Sequence, residues 1–279
     1  VYDETGGDDG YVSLEVSPDL AYDTEGTIEE ARRLFDAVDR PNVMIKVPAT
    51  PEGFPAIETL IGEGINVNAT LMFSLDQYDA VSQAYISGLE TLDANGGDLS
   101  GVASVASFFV SRMDVKVDRM LDDIGTPAAR ELRGSIGIAN AKMAYQRFKV
   151  TFSGERWQHL EDKGARLQRV LWASTSTKDP TYSDTLYPDN LIGPHTVNTL
   201  PPSTLEAFRD HGTVALTLER ELLAEQARLE RLDDLDIDLD QVTDELLGEG
   251  VEKFARPFSD LLDSIDEKVE SLTQVEVEE

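Results

Sequence analysis

Apolar and polar positions along residues 11–212 follow two periods in turn. Stretches that alternate every second residue predict strands. Longer stretches with apolar residues three and four apart predict helices. The strands on this pattern are YVSLEV (11–16), NVMIKV (42–47), INVNATLMF (65–73), GVASVASFF (101–109), RVLWAS (169–174) and TVNTL (196–200). Between the first two, TEGTIEEARRLFDAV (24–38) aligns Ile28, Ala31, Leu34, Phe35 and Val38 on one side, with Thr24 as the expected cap and acidic residues in the first turn. Helices are also expected over 51–64, closed by glycine, over 74–92, capped by Ser74, and over 111–125, with a helical pair across 126–165. PPSTLEAFRDHG opens another helix on proline, as a first turn allows. Everything after about residue 216 reads as acidic helix whose Leu/Ile/Val face could pack on a barrel exterior. Residues 1–10 and the stretch TSTKDPTYSDTLYPDN read as loops, and the final VEVEE as a frayed tail.

Strands alternating with helices predict βαβ units, an α/β fold and a parallel sheet. No break in composition separates a second domain, so 1–279 reads as one domain with a helical segment over 216–279. A (β/α)8 barrel needs eight strands in about 250 residues. Six units do not close one. The sheet is open, or two units are missing from the N-terminal side, and a chain starting with Val rather than Met favours the second expectation.

In three strands the two faces differ in kind. Val12, Leu14 and Val16 oppose Ser13, Glu15 and Ser17; Val43, Ile45 and Val47 oppose Met44 and Lys46; Ile65, Val67, Ala69 and Leu71 oppose Asn66, Asn68 and Thr70. The apolar face is expected under the helices. The other face, with Glu15, Lys46, Asn68 and Thr70, would line a lumen. A lone strand lysine usually snorkels, but helices on both sides of a parallel sheet cover both faces. A covered Lys and Glu on neighbouring strands are costly unless paired or used. Two readings stay open. One is a structural Lys46–Glu15 ion pair. The other is a lysine whose burial lowers its pKa from ~10.4, so that it attacks carbonyls and forms a Schiff base. The protonated imine is an electron sink for cleavage of the adjacent carbon–carbon bond, with Glu15 shuttling a proton through a water that Thr70 could orient.

Composition narrows the chemistry. The 279 residues are 41% hydrophobic, enough for a core, which excludes global disorder. Lys and Arg total 24 against 54 Asp and Glu, a net charge of -30, so nucleic acid and anionic membranes are not expected partners. No apolar run approaches the roughly 20 residues of a spanning helix, and the acidic, Gly-rich start is no signal peptide. Without cysteine, disulfides, thiolate catalysis and Cys-bound zinc are excluded. His159, His195 and His211 lack metal-ligand spacing, and the G-x-S-x-G, P-loop and dinucleotide motifs are absent, so neither metal nor cofactor is expected. Eight lysines against sixteen arginines suit a salt-adapted surface or a merely soluble one.

VSLEVSPDLAYDTEGTIEEARRL, MIKVPATPEG, GINVNATLMFS and VASVASFFVSRMD, in that order, resemble the successive strand-and-loop motifs of transaldolases, and LWASTSTKDPTYSDTLYPDNLIGPHTVNTLPPSTLEAF resembles later segments of the longer bacterial members. The resemblance covers roughly residues 11–210. It implies a (β/α)8 TIM barrel and transfer of a dihydroxyacetone unit from a ketose phosphate, sedoheptulose 7-phosphate or fructose 6-phosphate, to an aldose phosphate in the pentose phosphate pathway. Lys46 is then the Schiff-base lysine, Glu15 its water-linked acid/base partner, and Thr70 a holder of that water. Asn68 and Ser107 bind donor hydroxyls, Arg112 and Ser174 the phosphate. Shorter members carry an arginine soon after that serine; here Ser176 and Lys178 follow, and Lys178 is the expected compensating cation. On residues alone Arg112 is as readily a surface arginine at a helix start, although a guanidinium fork and the helix N-terminus beside it both suit phosphate.

The family pattern also has two βα units before the glutamate strand, one with a catalytic aspartate and one with an asparagine in a T-x-N-P-type motif. This sequence contains neither, and the acidic residues of YDETGGDDG do not replace them. About six of eight units are expected, with two unpaired strand edges prone to aggregation and little activity unless a partner chain supplies the missing strands. Besides transaldolase, two readings remain: another Schiff-base sugar-phosphate aldolase, and a catalytically inactive truncated barrel. A cytoplasmic monomer or homodimer is expected.

Overall fold

The structure, a computed structural model, describes residues 1–277, with side chains to residue 269. Among the described residues six parallel strands form one sheet in sequence order: β1 (Val12–Glu15), β2 (Val43–Pro48), β3 (Val67–Met72), β4 (Ser104–Phe109), β5 (Arg169–Ala173) and β6 (Thr196–Asn198). Helices α1 (Thr24–Val38), α2 (Gly53–Gly62) and α3 (Leu75–Ala94) connect the first four strands. Then α4 (Ser111–Ile124), α5 (Pro127–Arg130), α6 (Ile136–Thr151) and α7 (Glu155–Glu161) lead to β5, and α8 (Leu186–Asn190) to β6. The chain ends with α9 (Pro202–His211), α10 (Leu222–Asp233) and α11 (Leu239–Val277). This is the expected βα alternation, an arc of six barrel units in which each strand pairs with the next.

The strand pattern works as two cores. Ile45, Val47, Val67, Ala69, Ala106, Phe108, Val170 and Trp172 pack under the helices. Met44, Val105, Phe109, Leu171 and Ala173 form the inner layer. Such all-buried strands are what a two-sided parallel sheet requires. The helix ends are fixed locally. Ser74 caps α3 in a reciprocal capping box with Gln77. Thr24 is not the cap of α1; Asp23 is, accepting from the Gly26 amide at 3.0 Å, while the Thr24 hydroxyl donates to the Glu52 carbonyl.

Further expectations change in three dimensions, and LYPDN, expected within a loop, forms α8. Val12 and Leu14 do not lie under helices: they are 65% and 37% exposed, because β1 has a strand on one side only and α1 packs on β2 and α2. Leu71 leaves the face of Val67 and Ala69, since the β3–β4 register slips between Ala69 and Met72 and Leu71 takes a φ of 60°. Met72 joins the helix-side core and Leu71 the inner one. A left-handed leucine costs about 1–2 kcal/mol, so packing holds it there. Residues 212–221 are not helical, and helix resumes only at Leu222. Finally, α11 does not lie on the barrel exterior: Val242 and Leu246 are buried with Leu71, Phe73 and Phe109, which draws this helix across the carboxyl ends of the strands. Of the VEVEE tail, α11 takes in the residues to Val277, and the last two lie outside the described residues. Among the described residues no helix is long and apolar enough to cross a membrane.

Candidate active site

Glu15, Lys46 and Asn68 stand abreast. Glu15 is in register with Lys46 across β1–β2, and Lys46 with Asn68 across β2–β3. Residues abreast in neighbouring strands point to one face, so the period-two pattern delivers the three groups side by side. Lys46 Nζ lies 3.4 Å from Glu15 Oε2, with the two side chains 22% and 26% exposed. They are neither sealed in the core nor free in solvent. They line a cavity of about 440 Å3 together with Ser13, Asn68 and Arg169. The ion-pair alternative is thus met geometrically, in a place open to a small molecule.

Asn68 is held from both sides. Its Nδ2 donates to Ser13 Oγ at 2.9 Å, and Ser107 Oγ donates to its Oδ1 at 2.6 Å. Ser13 is on β1, with β2 between it and Asn68. At about 4.8 Å per strand a flat sheet would keep these side chains too far apart. The contact forms because the sheet curls with this face concave. Thr70, two residues on and on the same face, has a buried hydroxyl with no hydrogen-bond partner among the described residues. It directly precedes the strained Leu71.

Arg112 is not a surface arginine. It is the second residue of α4, and its guanidinium carbon lies 5.0 Å from the Phe109 ring and 5.7 Å from that of Phe254. Nη1 is buried without a partner among the described residues. Burial lowers its pKa, with Glu249 opposing, and an arginine remains charged regardless. Ser174 follows β5 in a left-handed conformation, φ 56°. Its carbonyl accepts from the Ser111 amide at 2.9 Å, and its hydroxyl lies 2.8 Å from the Ser111 hydroxyl. Ser174 and Arg112 therefore lie together at the start of α4, which no side chain among the described residues caps. A serine and a guanidinium at a helix start are an anion's surroundings.

Lys178 is placed elsewhere. It donates to Ser176 and borders a separate cavity of about 350 Å3 with Asp114, Asp118, Arg133, Tyr182 and Tyr187. Burial pushes the Asp114 carboxyl up to about 7, although the Gly137 amide at 2.7 Å and the Tyr187 hydroxyl at 2.8 Å donate to it.

Two aromatic residues of the site escape the sequence reading. Phe109 shares a face with Val105 and Ser107, so strand parity could have found it. Phe254 sits 5.3 Å from Lys46 Nζ, from a helix remote in sequence, and no local signal marks it. Taken together the site offers an amine nucleophile beside a carboxylate, a relay of amide and hydroxyls, and a half-buried cation near a helix start. It suits a polyhydroxy carbonyl compound with an anionic end.

Comparison with known proteins agrees. The sequence model of the family described as Transaldolase/Fructose-6-phosphate aldolase matches residues 2–265. Transaldolase of Trichodesmium erythraeum is 50% identical over 285 residues, which is 99% of this chain and 75% of the relative. Transaldolase 1 of Streptomyces avermitilis is 51% identical over 266 residues, 95% of this chain and 70% of the relative. Transaldolase of Thermobifida fusca is 49% identical over 274 residues, 98% and 74% respectively.

Proposed function

This chain belongs to the transaldolase/fructose-6-phosphate aldolase family, and from that premise we propose how its residues divide the work of a transaldolase, a transferase of carbohydrate metabolism acting on sugar phosphates. The observation that carries the proposal is the row Glu15–Lys46–Asn68 on a concave face, with Arg112 and Ser174 at the strand ends. Lys46 condenses with the ketose carbonyl and releases water. The imine accepts the electron pair as the carbon–carbon bond breaks, and an aldose phosphate leaves. The dihydroxyacetone unit stays on Lys46 as an enamine until an aldose phosphate acceptor takes it. Glu15, close enough to reach Lys46 through one water, moves the protons, and Thr70 holds that water. Asn68 and Ser107 bind donor hydroxyls. Arg112, Ser174 and the start of α4 hold the phosphate. Lys178 belongs to this proposal as a further cation on the loop after Ser174; it must leave Ser176 to reach a phosphate at Arg112.

A local positive site serves anionic substrates inside a protein of net charge -30, so attraction acts at short range. The proposal also includes two further βα units closing the barrel between β6 and β1. Their support is the open six-strand arc and relatives of which this chain spans about three quarters. A cytoplasmic monomer or homodimer completes the reading.

Borohydride reduction of the full-length protein with fructose 6-phosphate, followed by peptide mapping, tests it. A sugar adduct on Lys46, lost in Lys46→Arg, is expected; no adduct at Lys46 refutes the assignment. The family description also names an aldolase. Release of free dihydroxyacetone without gain from an acceptor would favour that second reading.

A further inference from the structure

Lys46 and Arg112 share one ring. Phe254 lies 5.3 Å from the lysine amine and 5.7 Å from the guanidinium carbon, within the range of an attractive cation–π contact for each. Its position is set by contacts independent of either cation. Lys116 of α4 ion-pairs with Glu245 and Glu249 of α11, both at 2.7 Å. Val242 and Leu246 are buried in the inner core, and Val251 packs against it. At Gly250 the helix passes so close that a Cβ there would lie 3.0 Å from Leu71 Cδ2 and 3.7 Å from Arg112 Nη1. The backbone of α11 thus crosses the strand ends over the site, and Phe254, one turn further, reaches over the lysine.

We propose that Phe254 is a specificity-determining residue that roofs the Lys46 adduct and keeps water from the three-carbon intermediate until an acceptor arrives. The inference rests on the Schiff-base reading above. After the donor's aldose phosphate has left, the enamine has two fates. It attacks an acceptor aldehyde, forming a carbon–carbon bond, and one water then hydrolyses the new imine to free the longer ketose phosphate and Lys46. Alternatively its nucleophilic carbon takes a proton from water, and one further water hydrolyses the imine and releases dihydroxyacetone. The second fate needs only water, and an apolar ring over the imine keeps out bulk water beyond the one that Thr70 holds for the proton relay. The same ring also touches Arg112, which links the roof to phosphate binding. A phosphate on the guanidinium neutralises the charge that attracts the ring, so an acceptor's own phosphate loosens the roof as it docks.

The test uses the full-length protein with fructose 6-phosphate as donor and erythrose 4-phosphate as acceptor. Its readout is the ratio of dihydroxyacetone released to ketose product formed, which a general loss of folded enzyme does not move. Phe254→Ala is expected to raise that ratio roughly tenfold, between the scales of an exposed and a desolvated cation–π contact. Phe254→Leu, which keeps apolar volume against the same core, is expected to fall between. Leu262→Ala, on an exposed part of α11 (46% exposed), is expected to match the wild type. A ratio within about twofold of wild type in both Phe254 variants overturns the proposal. If wild type itself gives neither transfer nor a Lys46 adduct, the Schiff-base reading fails first, and this inference fails with it.

Discussion

Replacing Arg112 by methionine separates a structural arginine from a functional one. Among the described residues one guanidinium nitrogen is buried without a partner. Such a donor costs about 1–3 kcal/mol. Contacts with Phe109 and Phe254 at 5.0 and 5.7 Å return about 0.5–2 kcal/mol each. Methionine removes the orphaned donor, keeps an apolar stem between the rings, and recovers about 0.3–1.5 kcal/mol through its sulfur. The terms nearly cancel, so Arg112→Met is expected within about 1 kcal/mol of wild type in urea unfolding. Buried Trp157 and Trp172 report that transition by fluorescence. Function responds differently. Charge-assisted hydrogen bonds to a phosphate contribute about 1.5–3 kcal/mol, so KM for fructose 6-phosphate is expected to rise about 10- to 100-fold. KM for unphosphorylated fructose is expected to stay unchanged. A stability loss beyond about 3 kcal/mol with an unaltered KM would refute the phosphate role and make Arg112 a structural residue.

Three further outcomes are expected. Lys142 and Glu225, 3% and 2% exposed and 2.8 Å apart, join α6 to α10; Lys142→Ala should cost about 3–5 kcal/mol in urea unfolding, and Lys142→Met with Glu225→Leu far less, whereas equal losses would show that packing alone matters there. Asp114 has a folded pKa of about 7 against an ordinary 3.8, raised chiefly by burial, with Asp118 adding to it and Tyr187 and the Gly137 amide opposing. The folded state keeps a proton that the unfolded chain has lost, so this group's stabilisation is complete below about pH 4 and is lost as pH rises through 7. Asp114→Asn removes that slope and should gain about 3 kcal/mol relative to wild type between pH 5 and 8; parallel pH–stability curves would contradict this. Lys178→Ala should raise KM for phosphorylated donors if the side chain swings from Ser176, and an unchanged KM would confine Lys178 to its own cavity.

The sequence by itself determined the order and kind of elements, because the two hydrophobic periods and the turn residues act locally. It also determined which residues share a face. Glu15, Lys46, Asn68 and Thr70 were legible as one set from strand parity, with Schiff-base chemistry at Lys46 as one of two open readings; Ser107 and the phosphate-binding residues entered only through the resemblance to a family. Tertiary structure decided the rest. It decided that Leu71 turns inward, since the bulge depends on the slipped β3–β4 register. It left Val12 and Leu14 exposed, because the cover of a strand depends on its neighbours. It turned Arg112 from a plausible surface residue into a half-buried cation between two rings. Above all it brought α11 across the strand ends and set Phe254 over Lys46. A helical apolar stripe states that a helix must pack; which surface receives it depends on the shape of a core assembled from residues far apart in the chain.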